Sequence, residues 1–234
     1  MSARKILFIR HAQSVGNTMN QDERAACEIP NHAYSLTDSG KRQAVLTGQY
    51  LRRYTLDLFK SDKPQLYFQS TFLRAQMTMR IILGEMGFSP TVITDSRLDE
   101  KWDGIFHELS KTDIEKYYPE QVRLRKRSGY YHYRAPGGES CPDAEVRIKS
   151  FLYDQNVDRK NILVVGHGRW AILLHKILFN LTIEEFLKLK EEGLENGGSE
   201  NCSVIEYVQM SGYWSYRCVV PWKDHLCEEK TELA

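Results

Sequence analysis

The chain has 234 residues, enough to bury a full core without disulfide or metal staples, and its length fits one large domain or one domain with an insertion. With 32 basic and 31 acidic residues the formal net charge is +1, so charge gives no global reason to expect nucleic acid or a membrane surface as partner. The five cysteines, Cys27, Cys141, Cys202, Cys218 and Cys227, are scattered with no Cys-x-x-Cys pair, which excludes a disulfide framework or a zinc site as the expected organisation.

Lys5 to Ile9 is a near-continuous apolar run too short for a helix, the pattern of a strand buried on both faces in a parallel sheet. Thr37 can cap a helix running to Tyr54, with Ala44, Gly48 and Leu51 on one face. Gln65 to Gln69 is a second buried strand. Ala75, Met79, Ile82 and Leu83 then repeat at helical spacing, with Gly87 just past their end. Thr91 to Thr94 is a weaker strand. Ser110 and Asp113 form a loose capping pattern for a short helix that Pro119 closes. From Glu100 to Cys141 the rhythm breaks into an aromatic, basic, loop-rich stretch, expected as an insertion over the active face of the sheet and not as a separate domain. Its run Arg123-Leu124-Arg125-Lys126-Arg127 reads as a solvated helix face, or more sharply as an entrance for an anionic substrate.

Ala144, Ile148, Phe151 and Leu152 again follow a helical period, and Asn161 to Val165 is a third buried strand. Thr182 and Glu185 make a capping-box pattern before Phe186 and Leu187. Val204 to Val208 and Tyr216 to Val220 are late strands flanking a turn at Ser211-Gly212. Glu228 to Ala234 is a polar tail. Strands alternating with helices predict an α/β fold, a three-layer α/β/α sandwich around a mostly parallel sheet with a helical and loop insertion over the active site. The expected domain spans 1–222, its insertion about 100–141, and the polar C-terminal tail 223–234. No apolar run approaches the length of a membrane span and the N-terminus lacks a signal-peptide core, so a cytoplasmic protein in a reducing compartment is the expectation.

Three of the apolar strands end in polar residues unsuited to a sheet core. The first ends in Arg10-His11, the second at Ser70 with Arg74 in the first turn of the next helix, and the third in Gly166-His167-Gly168. In open α/β sheets ligands bind beyond the carboxyl ends of the strands, so these residues converge on one crevice. Two arginines and two histidines there describe an oxyanion receptor. Arginine forks match phosphate oxygens, a helix N-terminus adds N–H donors, and glycines let the backbone approach closely. A histidine among such cations is driven towards its neutral, nucleophilic form. His11 would attack phosphorus, with the arginines and His167 stabilising charge on the equatorial oxygens. The remaining histidines, His32, His107, His132, His175 and His225, fit no catalytic pattern and have no metal-ligand spacing; packing or a hydrogen bond is the expectation for His175. No metal or other cofactor is expected.

Arg10-His11-Ala12-Gln13-Ser14-Val15-Gly16-Asn17 resembles the Arg-His-Gly-x-x-x-x-Asn motif of the histidine phosphatase (phosphoglycerate mutase-like) superfamily. Ser70 to Thr78 is similar to its Ser-x-x-x-Arg-Ala-x-x-Thr segment, and Leu98-Asp99-Glu100 with Gly104 to its Leu-x-Glu-x-x-x-Gly segment. Pro136 to Ser140, Gly166-His167-Gly168, and Asn201 with Ser203 and Val204 resemble three further segments, all in family order. The resemblance implies that His11 is phosphorylated, that Arg10, Arg74 and His167 hold the phosphoryl group, and that Glu100 is the proton donor to the leaving oxygen and later the base for water. It implies that Asn17 borders the pocket. Glu100 would need a raised pKa, which burial under the insertion could supply. Ala12 departs from the family's usual glycine, a change that a negative φ accommodates and a positive φ would strain.

Tyr117 to Glu120 and Tyr131 to Ser140 resemble the fructose-2,6-bisphosphatase branch and bacterial phosphatases near it. In that branch a Tyr-Arg pair helps bind substrate, here Tyr133 and Arg134. The accompanying kinase domain of the animal enzyme is absent, so a stand-alone phosphatase acting on a small phosphorylated metabolite is expected. The alternative is a cofactor-dependent phosphoglycerate mutase: the stretch from Glu120 to Ser128 is similar to a mutase segment, whereas Lys101-Trp102-Asp103-Gly104 differs from the mutases' Arg-His-Tyr-Gly. A non-catalytic binding module on the same fold is disfavoured because every core position is intact.

Overall fold

The computed structural model describes residues 4–58, 64–87, 89–156, 160–194 and 200–223. Strands β1 (Arg4–Arg10), β2 (Leu66–Gln69), β3 (Val92–Thr94), β4 (Ile162–Gly166), β5 (Val204–Met210) and β6 (Tyr213–Val219) form one sheet in the order β3-β2-β4-β1-β5-β6. From β3 to β1 every pair is parallel; β5 runs antiparallel to both of its neighbours. The β5–β6 hairpin turns through Ser211 (φ 51°) and Gly212 (φ 88°), a two-residue loop whose positive φ values match the twist of the strands.

Alternation along β1 divides the core. Ile6 and Phe8 face one layer with Phe68, Val164 and Tyr207, while Leu7 and Ile9 face the other with Tyr67, Leu163 and Val165. The first face is covered by helices α7 (Cys141–Asn156) and α8 (Gly168–Phe179), where Phe8 stacks on Trp170 with ring centroids 5.2 Å apart. The second is covered by α3 (Asp38–Leu58) and α4 (Leu73–Met86), which supply Leu51, Met79 and Ile82. Both sheet faces are therefore buried, which is why β1 and β4 read as continuous apolar runs. Thr37 caps α3 by accepting the Gly40 N–H at 3.0 Å, and Gly87 ends α4 in the left-handed region. Helix α9 (Ile183–Glu192) opens with the Thr182/Glu185 capping box.

Two short helices, α1 (Val15–Thr18) and α2 (Gln21–Ala25), follow β1. The stretch expected to be loop-rich holds a 3-10 turn (Gly104–His107) and helices α5 (Lys111–Tyr117) and α6 (Pro119–His132). Pro119 closes α5 and also opens α6: it sits in the first turn, where a missing N–H leaves nothing unsatisfied. These elements share a satellite core of Phe106, Tyr133 and Ala135, backed by Ile114 and Tyr118. Gly104, at φ 57°, locks them to the Pro136–Gly138 loop, since a Cβ there would lie 2.1 Å from the Pro136 carbonyl oxygen. Strand β6 begins at Tyr213, three residues before the sequence pattern suggests, because hairpin pairing carries it back to the turn. The Glu228–Ala234 tail lies outside the described residues.

Candidate active site

The order β2-β4-β1 sets the carboxyl ends of three neighbouring parallel strands side by side, bringing Ser70, His167 and Arg10-His11 together. They border a cavity of about 400 Å³ lined by Arg10, His11, Asn17, Arg74 and Glu100 on one side, and by Arg125, Tyr130 and Tyr133 of the insertion on the other.

His11 is held at both ring nitrogens. Nδ1 lies 2.8 Å from the Ala12 carbonyl oxygen, an acceptor that places the proton on Nδ1. Nε2 then carries the lone pair and accepts from Arg74 Nε at 3.1 Å. Burial, then the Arg74 and Arg10 cations, hold the imidazole pKa well below its ordinary value. The backbone is equally fixed: His11 N–H donates to Gly166 O at 2.9 Å, and Asn201 Nδ2 donates to His11 O at 2.8 Å. Ala12 is not among the residues with positive φ, so its methyl enters the small Leu36–Ala44–Cys202 cluster without strain.

Arg74 reaches from the first turn of α4, and its Nη1 donates to Asn31 O at 2.8 Å. Burial lowers its pKa to about 10, with Glu100 opposing and Arg10 and Arg169 adding, so it remains a cation at neutral pH. Arg10 passes over Gly168, where a Cβ would lie 3.3 Å from the Arg10 Nε; glycine there leaves room for the guanidinium. His167 is completely buried beside the cavity and does not line it; its ring centroid is 5.2 Å from that of His11. Asn17 lines the cavity while its Oδ1 accepts the Ser14 N–H at 2.9 Å.

Glu100 enters the cavity on a segment clamped by the 136–140 loop. Trp102 N–H donates to Glu139 Oε2 at 3.1 Å, Glu139 N–H returns to Trp102 O at 2.9 Å, and Arg147 holds the Glu139 carboxylate at 2.8 Å. Burial is not its whole environment: Arg169 Nε lies 3.6 Å from Glu100 Oε1. The same guanidinium holds both Asp103 oxygens at 2.7 Å. Arg169, the residue after Gly168, escaped the sequence reading because its partners lie nearly seventy positions away; its place beside the second histidine motif was the available signal. Lys101, Arg24 and His107 also line the cavity and were not singled out as site residues.

The proposed Tyr-Arg pair is split. Tyr133 lines the cavity and hydrogen-bonds Gln121 Oε1 at 3.1 Å. Arg134 stands apart from it: it is 60% exposed, absent from the cavity wall, and paired with Asp143, to whose Oδ2 its Nε donates at 2.7 Å. Alternate residues at the end of α6 face opposite ways as the chain leaves the helix, so Tyr133 turns in and Arg134 out. Of the basic run, Arg125 alone reaches the cavity lining; the run as a whole is an exposed helix face. His175 packs between Phe179 (4.4 Å) and Tyr216 (4.5 Å), as expected of a core histidine.

Among the described residues no cluster of three or more His, Cys, Asp or Glu is placed to hold a metal ion, and no helix is long and apolar enough to cross a membrane.

Residues 6–219 match the model of the histidine phosphatase superfamily, branch 1. A phosphoglycerate mutase-like protein of Arabidopsis thaliana is 29% identical over 226 residues, covering 90% of this chain and 67% of the relative. The 2,3-bisphosphoglycerate-dependent phosphoglycerate mutase of Beijerinckia indica is 32% identical over 197 residues, covering 81% and 87%. Among solved structures, the alpha-ribazole phosphatase of Shigella flexneri superposes with a TM-score of 0.69 at 18% identity, covering 91% of this chain and 94% of that one. A mycobacterial glucosyl-3-phosphoglycerate phosphatase superposes with a TM-score of 0.67 at 22% identity, covering 92% and 97%.

Proposed function

The chain belongs to the histidine phosphatase superfamily, and from that membership we propose that it hydrolyses the phosphomonoester of a small metabolite through a phosphohistidine on His11. The observation that carries this reading is the His11 ring, its Nδ1 anchored on Ala12 O and its Nε2 directed at Arg74 beside the cavity. A neutral imidazole whose unprotonated Nε2 accepts from a guanidinium suited to phosphate oxygens becomes a free nucleophile when that guanidinium turns to the phosphate. Arg10, Arg74 and His167 hold the phosphoryl group, and Asn17 borders it. Glu100 protonates the departing oxygen, then takes a proton from the water that cleaves the phosphohistidine. Tyr133 contributes the facing wall.

The sequence relatives named as mutases support a second reading, in which the phosphoryl group passes to another hydroxyl instead of water. Both readings share the first step and part at the second.

One experiment addresses both. Purified protein is mixed with labelled aryl phosphate in excess chelator and quenched. The expected result is an acid-labile, base-stable phosphoprotein that is absent in His11→Ala, with free phosphate released on each turnover. Label on another residue, or near-normal turnover by His11→Ala, would refute the role of His11. A parallel incubation with a phosphoglycerate separates the two readings: its interconversion without phosphate release would establish the mutase reading.

A further inference from the structure

Behind the cavity, the ends of β2 and β4 and the segment preceding Glu100 meet in a second chain of hydrogen bonds. His167 Nε2 lies 2.8 Å from Ser70 Oγ, and Ser70 Oγ donates to Asp99 Oδ1 at 2.7 Å. Asp99 is itself anchored: Thr71 N–H donates to Oδ1 and Thr71 Oγ1 to Oδ2, both at 2.8 Å. A hydroxyl has one proton to give. Since Ser70 gives it to the carboxylate, Ser70 must accept from His167, which fixes the Nε2–H tautomer. At the other side of this completely buried ring, Nδ1 has no hydrogen-bond partner. A buried nitrogen left unsatisfied calls for a ligand.

We infer that Asp99 is a positioning residue which, through Ser70, orders His167 and stabilises the imidazolium formed when phosphoryl oxygens settle against Nδ1. The inference rests on the reading of the His11 pocket as a phosphate site. In the free protein the ring is neutral, because burial, then His11, Arg74, Arg10 and Arg147, all disfavour its charged form. A bare Nδ1 lone pair would repel an oxyanion. With one proton taken from solution, the same atom becomes a donor, and the imidazolium lies between the phosphate and the Asp99 charge relayed by Ser70. Each phosphate dianion bound is therefore accompanied by one proton. Asp99 also sits immediately before Glu100, so its anchor on Thr71 fixes the start of the segment carrying that carboxylate.

Asp99→Asn is the diagnostic change, since the amide oxygen still accepts from Ser70 while the charge is gone. Binding of inorganic phosphate to the full chain is measured calorimetrically at several pH values, each in two buffers of different ionisation enthalpy. At mildly alkaline pH the unaltered protein is expected to take up about one proton per phosphate. Asp99→Asn should take up less, and the pH at which its affinity declines should fall by about one unit, an effect of a lost neighbouring charge. Affinity would then differ about tenfold in alkali and converge in acid. In the unaltered protein, 15N-histidine NMR should show His167 as the neutral Nε2–H form alone and as imidazolium with phosphate. Phosphate bound without proton uptake, His167 still neutral in the complex, or an equal loss in Asp99→Asn at every pH would overturn the relay while leaving the phosphate site standing. Failure of the unaltered protein to bind phosphate would overturn both.

Discussion

Glu100 lies where the chemistry of a leaving group would be felt. Its Oε1 accepts the Lys101 N–H at 2.9 Å, and the Arg169 guanidinium stands 3.6 Å from it, so the carboxylate is oriented before any substrate arrives. Neutralising it as Glu100→Gln retains the shape and one acceptor oxygen. Turnover of an alkyl phosphate should fall by roughly 100- to 10,000-fold, the usual worth of a positioned general acid. An aryl phosphate with an acidic leaving group should lose far less, because it departs without protonation. The comparison of kcat/KM for the two substrates reads the role directly. Equal losses would mean that Glu100 shapes the pocket through Arg169 and transfers no proton.

At the scale of elements, α6 lends the cavity Arg125 and Tyr130, which on the proposed reading would meet the substrate beyond its phosphate. Arg125 on this helix lines the cavity, whereas Arg134 just past its end is committed to Asp143 on the surface. Arg125→Ala should therefore raise KM for a substrate with a second anionic group by about tenfold, equivalent to about 1.4 kcal/mol, with less effect on an aryl monophosphate. Arg134→Ala should leave both substrates unchanged. Loss confined to Arg134→Ala, measured in the same pair of assays, would restore the Tyr-Arg pair as the specificity element. The helix also marks the limit of what the sequence discloses. Strands β1, β2 and β4 were legible because sheets buried on both faces demand unbroken apolar runs, and their polar ends located His11, Ser70 and His167. Helix α6 was legible only as the solvated helix face of Arg123 to Arg127, and with no apolar period in that exposed run its bounds could not be read. Gly129, at φ 72° and ψ 163°, breaks the helix before the tyrosines and obscures their direction further. Arg169 and Asp99 lie beside motif residues, but their roles were not legible for another reason: each meets partners distant in sequence that only the fold brings near.

At the scale of the whole molecule, three buried histidines make folding a proton-dependent equilibrium. Burial holds His11 and His167 well below the ordinary imidazole pKa, and lowers His175 to about 4. A histidine with a depressed folded pKa binds fewer protons in the native state than in the unfolded chain. Its effect is absent above the unfolded value of about 6.5, and stability is lost as pH falls through that value towards the folded one. Three such groups give a slope of up to about 4 kcal/mol per pH unit, steep for a domain whose total stability is on the order of 5–15 kcal/mol. The carboxylates Asp95, Asp103, Asp143 and Glu145, held below their ordinary values by net favourable partners, act in the same direction only at lower pH. His175 separates the histidine contribution from activity, since it packs on Phe179 and Tyr216 away from the cavity. His175→Phe preserves an aromatic ring and removes the titration, so between about pH 6.5 and 4 it should recover about 3 kcal/mol of the acid loss relative to the unaltered chain. Urea denaturation across that range, with turnover followed in parallel, checks this. The same pH slope in both proteins would mean that His175 accepts a proton in the folded state, and the acid sensitivity would then belong to His11, His167, His107, which burial also holds below its ordinary value, and the carboxylates.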